Sequence, residues 1–155
     1  MKKQIAVIGV ILLFVTLCFS GCELLEQKPD YITVICSADI EIVCRDRNND
    51  NLGIFASGLP IRVDFVKDGG ERSTLTVISD TFGTATTGTA SFKLYKEQPI
   101  EATMTVQGGY RDFYPFASVQ YRTLTWEEVD AAADFGGSYA WEPVFFVDLY
   151  NSTSL

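Results

Sequence analysis

The stretch that decides the fold is Ile40-Glu41-Ile42-Val43-Cys44-Arg45, in which every second side chain is apolar. In an extended strand Ile40, Ile42 and Cys44 share one face, because successive side chains point to opposite sides. Residues 61–66, IRVDFV, repeat this alternation. Such strands pair antiparallel and bury one face.

Short runs of the same kind recur along the rest of the chain. They lie at 31–36, 40–45, 59–66, 73–79, 89–95, 100–107, 116–124 and 143–150. Between them, Gly, Asn and Asp supply tight turns, as at residues 48–51 and 68–70. Seven or eight short strands at this spacing predict an antiparallel β-sandwich that occupies residues 31–155.

One segment near the C-terminus departs from the strand pattern. Thr125 and Glu128 have the spacing of a capping box, and Gly136-Gly137 follows as a stop signal. We therefore expect one short helix near 126–134, inserted between the last two strands.

The middle of the chain resembles the immunoglobulin-like domains of prokaryotic surface proteins of the invasin and intimin type. Residues 58–65, GLPIRVDF, are similar to the start of a strand in that family, and residues 79–85, SDTFGTA, are similar to its Thr-Asp-x-x-Gly-x-Ala turn. The likeness covers about residues 31–107. It implies an immunoglobulin-like β-sandwich used as a spacer or adhesive module, and it carries no catalytic residues.

The N-terminus has the layout of a secretory signal peptide over residues 1–21. Lys2 and Lys3 precede an apolar run from Ile5 to Phe19. The sequence Phe19-Ser20-Gly21-Cys22 resembles the lipobox of prokaryotic lipoproteins, with Phe19 where the family usually has Leu. The resemblance implies a diacylglycerol on Cys22, followed by a tether over 22–30 and a domain exposed outside the cytoplasm.

Two other interpretations of this leader stay open. The 17 residues from Ile5 to Gly21 are at the short end of what crosses a bilayer, so the segment could be an uncleaved anchor. Ordinary signal-peptide cleavage without lipidation is the other. All three place the rest of the chain outside the cytoplasm.

Charge and composition exclude several function classes. The chain of 155 residues has 12 Lys and Arg against 20 Asp and Glu, a net charge of -8. Loss of Lys2 and Lys3 with the leader would leave 10 basic residues against 20 acidic ones, a charge of -10. Such a chain repels nucleic acid. Because it has no histidine, imidazole-dependent hydrolysis and the usual catalytic zinc sites are also excluded. We expect no enzyme activity, no cofactor and no metal.

Cys36 and Cys44 are the cysteines left for the exported domain. If strands 31–36 and 40–45 formed a simple hairpin, the two thiols would lie too far apart for a disulfide. If the strands lie in facing sheets, a disulfide becomes an alternative to two buried thiols.

Asp46, Asn48 and Asp50 reproduce the first half of a calcium loop, but Asn51 and Ser57 stand where such a loop needs Gly and a bidentate Glu. The pattern favours a polar turn, with calcium as the alternative.

Aromatic residues crowd the last third of the chain, and two interpretations of them stay open. They either fill the core and seat the helix, or form an exposed platform. For a platform we expect Trp126, Tyr139 and Trp141, which flank the inserted helix and its exit.

These features together predict a cell-envelope lipoprotein whose domain binds an envelope protein or a glycan. One alternative is a structural accessory subunit of a membrane complex. A calcium-dependent envelope module or hydrolase is the other.

Overall fold

The computed structural model describes residues 30–46 and 48–151, which form eleven strands and one helix. The strands are β1 (Tyr31–Cys36), β2 (Asp39–Arg45), β3 (Pro60–Lys67), β4 (Arg72–Ile78), β5 (Thr84–Thr86), β6 (Ala90–Tyr95), β7 (Ile100–Val106), β8 (Phe113–Pro115), β9 (Val119–Leu124), β10 (Ser138–Trp141) and β11 (Val144–Asn151). The helix α1 spans Trp126–Ala132. The expected signal peptide, Cys22 and nearly all of the expected tether lie outside the described residues.

The strands form three sheets. Sheet A has the order β10-β1-β6, sheet B the order β5-β2-β11-β8, and sheet C the order β4-β3-β7-β9. Phe65 of sheet C meets Trp141 of sheet A with ring centroids 5.9 Å apart, so the two sheets face each other across the core. The all-β sandwich with one short helix is confirmed.

Two details go beyond the sequence-based expectation. The pairs β1–β10 and β2–β11 are parallel, whereas the other strand pairs are antiparallel. The strands β5, β8 and β10 were not predicted, because three or four residues are too few to show an alternating pattern.

The strands β1 and β2 do not form a hairpin. The chain continues from one into the other through Ser37 and Ala38. The parallel ladder continues past this point in the same register, because the Ser37 N–H donates to the Trp141 carbonyl and the Asp39 N–H donates to the Pro143 carbonyl, both at 3.1 Å. The Ala38 N–H donates to the Thr87 hydroxyl at 2.9 Å, and this bond ties the junction of β1 and β2 to the loop that connects β5 and β6. Cys36 on β1 and Cys44 on β2 therefore lie on successive segments of one layer, on its buried face.

Alternation fills the core as the sequence predicts. Ile61, Val63 and Phe65 of β3 are completely buried, as are Ile32 and Val34 of β1. Burying a side chain of this size contributes roughly 1.5–3 kcal/mol relative to leaving it in water. One continuous apolar cluster joins the three sheets.

The helix begins where the capping box predicts. The Thr125 N–H donates to the Glu128 carboxylate at 2.8 Å, and Trp126 and Val129 face the core. The helix ends at Ala132, because Ala133 is extended. Gly136, with φ 82°, then turns the chain into β10, and its N–H donates to the carbonyl of Tyr31 at 2.9 Å.

No helix among residues 30–46 and 48–151 has the length and hydrophobicity that crossing a membrane requires.

Candidate functional site

Trp126, Tyr139 and Trp141 do not form the expected exposed platform. Trp126 is 7% exposed and packs against Phe135 at a centroid distance of 5.7 Å. Tyr139 and Trp141 are half-buried and pack on the core, because β10 pairs with β1 in a register that puts them beside inward-facing residues. These three side chains seat the helix and β10 on the sandwich, which favours the first of the two interpretations of the aromatic residues.

In the loop that begins at Asp46, the Asp46 carboxylate accepts hydrogen bonds from the backbone of the same loop. Asp46 Oδ1 accepts hydrogen bonds from the N–H groups of Asn48 and Asp50 at 2.8 and 2.9 Å. The polar turn explains this geometry. Within the described part of the chain, no cluster of three or more acidic, histidine or cysteine side chains could hold a metal ion.

Cys36 and Cys44 are free thiols and completely buried in the structure. Burial raises the pKa of Cys36 to about 12 and also raises the pKa of Cys44. A thiol with such a pKa is protonated at neutral pH, so neither cysteine has the character of a nucleophile.

The most distinctive exposed feature lies elsewhere, where Phe55 and Phe82 form what we call the aromatic groove. Their side chains are 55% and 70% exposed, and their rings meet edge to face with centroids 6.5 Å apart. The two rings border a depression of about 200 Å³, whose lining includes Glu41, Val43 and Thr84. Exposed aromatic rings beside hydrogen-bonding groups are typical of a binding site.

The turn that carries Phe82 is held tightly. The Asp80 carboxylate accepts hydrogen bonds from the N–H groups of Phe82 and Thr84 at 2.8 and 2.9 Å, and these bonds lower its pKa. Gly83 follows with φ 73°, and its carbonyl accepts from the Ile42 N–H of β2 at 2.9 Å. The backbone of the turn that carries Phe82 is therefore anchored to sheet B.

The loop that carries Phe55 is also anchored. The buried hydroxyl of Ser79 donates to the Ala56 carbonyl at 2.6 Å and accepts from the Leu59 N–H at 2.9 Å. On the other side, the Asn51 side chain accepts from the Gly53 N–H at 2.8 Å. Since both loops are fixed, a ligand would find the two rings already in place and would order little on binding.

Glu41 supplies a carboxylate at the rim of the groove. It projects from the outer face of sheet B, where its cross-strand neighbours are Thr84 on β5 and Phe146 on β11. Among the described residues, no hydrogen bond or ion pair engages this carboxylate. It is therefore available to a ligand hydroxyl or amide.

A second group of exposed aromatic residues, the aromatic strip, lies farther along sheet B. Its exposed members are Tyr114, Phe116 and Phe146, and the half-buried Tyr150 packs beside them. Phe116 is 78% exposed, and its ring lies 6.2 Å from that of Tyr150, centroid to centroid. The Tyr150 hydroxyl donates to Asn49 at 2.8 Å, so this end of the strip is tied to the polar turn of residues 48–50.

Another depression, of about 240 Å³, lies under the β3–β4 turn. It has no aromatic lining, and its walls come largely from the turn backbone around Gly69 and Gly70. The cationic side chain beside it is already engaged, because Lys67 donates to the Lys93 carbonyl at 3.0 Å and pairs with Glu71. This depression offers a ligand fewer free groups than the aromatic groove.

Fold and site together define a small all-β sandwich that presents a preformed aromatic groove at one sheet face. No protein-family model, curated protein or solved structure matches this chain. The likeness to immunoglobulin-like domains of the invasin and intimin type therefore stays a prediction.

The sequence contains a signal for the groove. Phe55 lies in a loop outside every alternating run, and Phe82 lies in a turn whose other residues are Asp, Thr and Gly. A large aromatic side chain in such a turn has no strand face on which to bury itself. Two isolated phenylalanines draw less attention in the sequence than the many aromatic residues in its last third.

Proposed function

We propose that this protein is a non-catalytic lipoprotein of the cell envelope, held at a membrane by a lipid on Cys22 and exposed outside the cytoplasm. Its β-sandwich is a binding module for an envelope glycan or protein, and the aromatic groove is its ligand site. The observation that carries this proposal is the exposed, rigidly held Phe55–Phe82 pair beside the free carboxylate of Glu41.

A neutral glycan suits the chemistry of the groove best. The C–H face of a sugar ring packs on an aromatic ring, while its hydroxyls donate to a carboxylate. The volume of about 200 Å³ is below the roughly 300–1,000 Å³ of pockets that enclose a whole ligand, so the groove would hold one sugar unit of a longer chain. Because the chain without its leader would carry a net charge of -10, an acidic glycan would be repelled.

Binding of the full chain to an array of neutral and acidic oligosaccharides tests the proposal. Removing the ring in F82A is expected to weaken binding at least tenfold, about the loss found at a hot-spot aromatic. The matched control is F116A, which deletes an equally exposed phenylalanine outside the groove. Unchanged binding by F82A would exclude the groove as the glycan site.

The aromatic strip favours a second candidate function, that of a structural accessory subunit in a membrane complex. Exposed aromatic side chains in a row on one sheet face are typical of protein interfaces. In that case F116A and F146A would abolish co-purification with membrane subunits, whereas F82A would not. The two sets of variants therefore separate the two functions.

A further inference from the structure

The strand β4 leaves one whole edge of sheet C without a partner. It lies at the end of the order β4-β3-β7-β9, and within the described residues no strand pairs with its other side. Near its two ends, the Lys67 N–H donates to the Glu71 carbonyl at 2.9 Å and the Ser79 N–H donates to the Leu59 carbonyl at 3.1 Å. Backbone groups alternate in direction along an antiparallel strand. The groups at the free edge are therefore those of Arg72, Thr74, Thr76 and Ile78.

The other strands that end a sheet are protected in ways that natural proteins use against unwanted pairing. The strands β5, β8 and β10 have only three or four residues each. On β6, the Lys93 carbonyl accepts a hydrogen bond from the Lys67 ammonium group at 3.0 Å. On β9, the Gln120 side chain donates to the Phe146 carbonyl of β11. These edges are thus too short or already engaged.

The strand β4 lacks each of these protections. It is seven residues long, and from Ser73 to Ile78 it contains no charged residue, proline or glycine. Ile78 is 63% exposed, and Leu75 and Val77, which pack on the core, are only partly buried. A long, exposed and apolar edge of this kind is a template for a further strand.

The sequence of β4 is complementary to itself when two copies run antiparallel. The pairs across a two-fold axis at Leu75 are Arg72 with Ile78, Ser73 with Val77 and Thr74 with Thr76. In this register each of the four residues at the free edge exchanges backbone hydrogen bonds with the residue opposite. Threonine pairs stabilise antiparallel sheets, and the aliphatic part of an arginine side chain covers apolar surface. No two like charges meet.

Charges at the two ends of β4 are also complementary. Arg72 lies at one end, and within the described residues no ion pair engages its guanidinium group. Asp80 lies at the other end, two residues beyond Ile78. A long side chain reaches the position diagonal to its opposite residue, so Arg72 of each copy can contact Asp80 of the other. The two-fold axis gives two such contacts, which favours a second copy of the chain as the partner.

We propose that a second copy of this chain pairs with β4, antiparallel and about a two-fold axis at Leu75. The two four-stranded sheets then form one sheet of eight strands. Neither the lipid anchor nor the aromatic groove enters this pairing, since the lining of the groove lies within residues 41–43, 51–55 and 82–84. An edge of seven residues makes a small interface, so we expect a dimer that dissociates on dilution.

Sedimentation velocity of the full chain in detergent micelles, over a range of concentrations, tests the pairing. At about 0.15 M salt, the repulsion between two acidic chains is screened beyond about 8 Å. T76P removes an N–H group from the free edge, where proline is tolerated, and should raise the dissociation constant at least about tenfold with little change in melting temperature. A wild-type chain that stays monomeric at every concentration would overturn the inference.

A charge reversal tests the same edge without altering the backbone. R72E places a carboxylate near Asp80 of the other copy and should also weaken the dimer at least about tenfold. Its matched control is R122E, which makes the same change on β9, at the opposite edge of sheet C, and should leave the dimer intact. A dimer that survives both T76P and R72E would show that another surface joins the copies, and the pairing at β4 would be wrong.

Single cysteines report the register. Leu75 would face its own copy in a pair without mutual hydrogen bonds, where the Cα atoms lie about 4.5 Å apart, close enough for a disulfide. L75C is therefore expected to form a cross-linked dimer under mild oxidation, faster than the parent chain. T123C, an exposed position on β9, is the matched control and should not gain this cross-link. Equal rates for L75C and T123C would contradict the pairing.

Discussion

The ring of Phe82 meets the ring of Phe55 edge to face at 6.5 Å, although Phe82 is 70% exposed. Phe65, by contrast, is completely buried and meets Trp141 at 5.9 Å. The same residue type thus occupies two opposite environments in one small domain. One side chain stabilises the sandwich, and the other is available to a ligand.

Alanine substitutions should separate these two roles. F65A leaves a cavity between sheets C and A, and we expect it to lower the free energy of unfolding by about 3–5 kcal/mol. F82A removes a mostly exposed ring and should cost about 1 kcal/mol or less. Urea denaturation of both variants measures the difference. Equal destabilisation would mean that Phe82 is part of the core and not of a binding surface.

The turn that presents Phe82 depends on the left-handed conformation of Gly83. Gly83 has φ 73°, and a Cβ atom added at this position would lie 3.1 Å from the Ile42 carbonyl oxygen. We therefore expect G83A to destabilise the fold by about 1–2 kcal/mol and to weaken ligand binding as well. Thermal melts and the oligosaccharide array measure the two effects.

Gly88 provides the matched control for that variant. A Cβ atom there would meet no heavy atom within 4 Å, and its φ is not in the left-handed range. G88A should leave the melting temperature within a few degrees of the wild type, as is usual for a small surface change. A G83A variant as stable as G88A would show that the turn tolerates a side chain.

The sequence predicts more of the fold than of the candidate site. Alternation along β3 predicts which side chains are buried, because the pattern is local and the period is two. The end-to-end arrangement of β1 and β2 is not predictable in this way, because it depends on pairing with β6, β10 and β11, which are distant in the sequence.

The aromatic residues show the same limit. The burial of Trp141 follows from its position beside Cys36 in the β1–β10 pair, and β10 itself is too short to be recognised. The pairing of Phe55 with Phe82 follows from two loops that meet only in the folded chain. Composition therefore draws attention to the aromatic-rich last third, while the groove forms elsewhere.

Asp80 should contribute to stability in a pH-dependent way. Backbone hydrogen bonds from Thr84 and Phe82 lower its pKa below the ordinary value near 3.8. A lowered pKa in the folded state means that the contribution is complete above the unfolded pKa and is lost as the pH falls through the folded pKa. We expect D80N to melt below the wild type at pH 7, with the difference shrinking as the pH falls below about 4.

Melting curves between pH 2 and pH 7 measure this difference, with D68N as a control, because Asp68 accepts from the N–H of the adjacent Gly69. A D80N deficit that stays constant down to pH 2 would contradict the role of the charged carboxylate. A deficit of the same size and pH dependence in D68N would mean that the effect is not specific to the Phe82 turn.

The state of the two core cysteines can be tested by alkylation. Because burial raises the pKa of Cys36 to about 12 and leaves it without exposed surface, iodoacetamide at pH 8 should not modify it in the folded protein. Cys44 should be equally protected. After unfolding without a reductant, peptide mapping should find both residues alkylated, since the structure has them as free thiols on successive strands. If both stay unmodified until a reductant is added, Cys36 and Cys44 form a disulfide, which would contradict the end-to-end arrangement of β1 and β2.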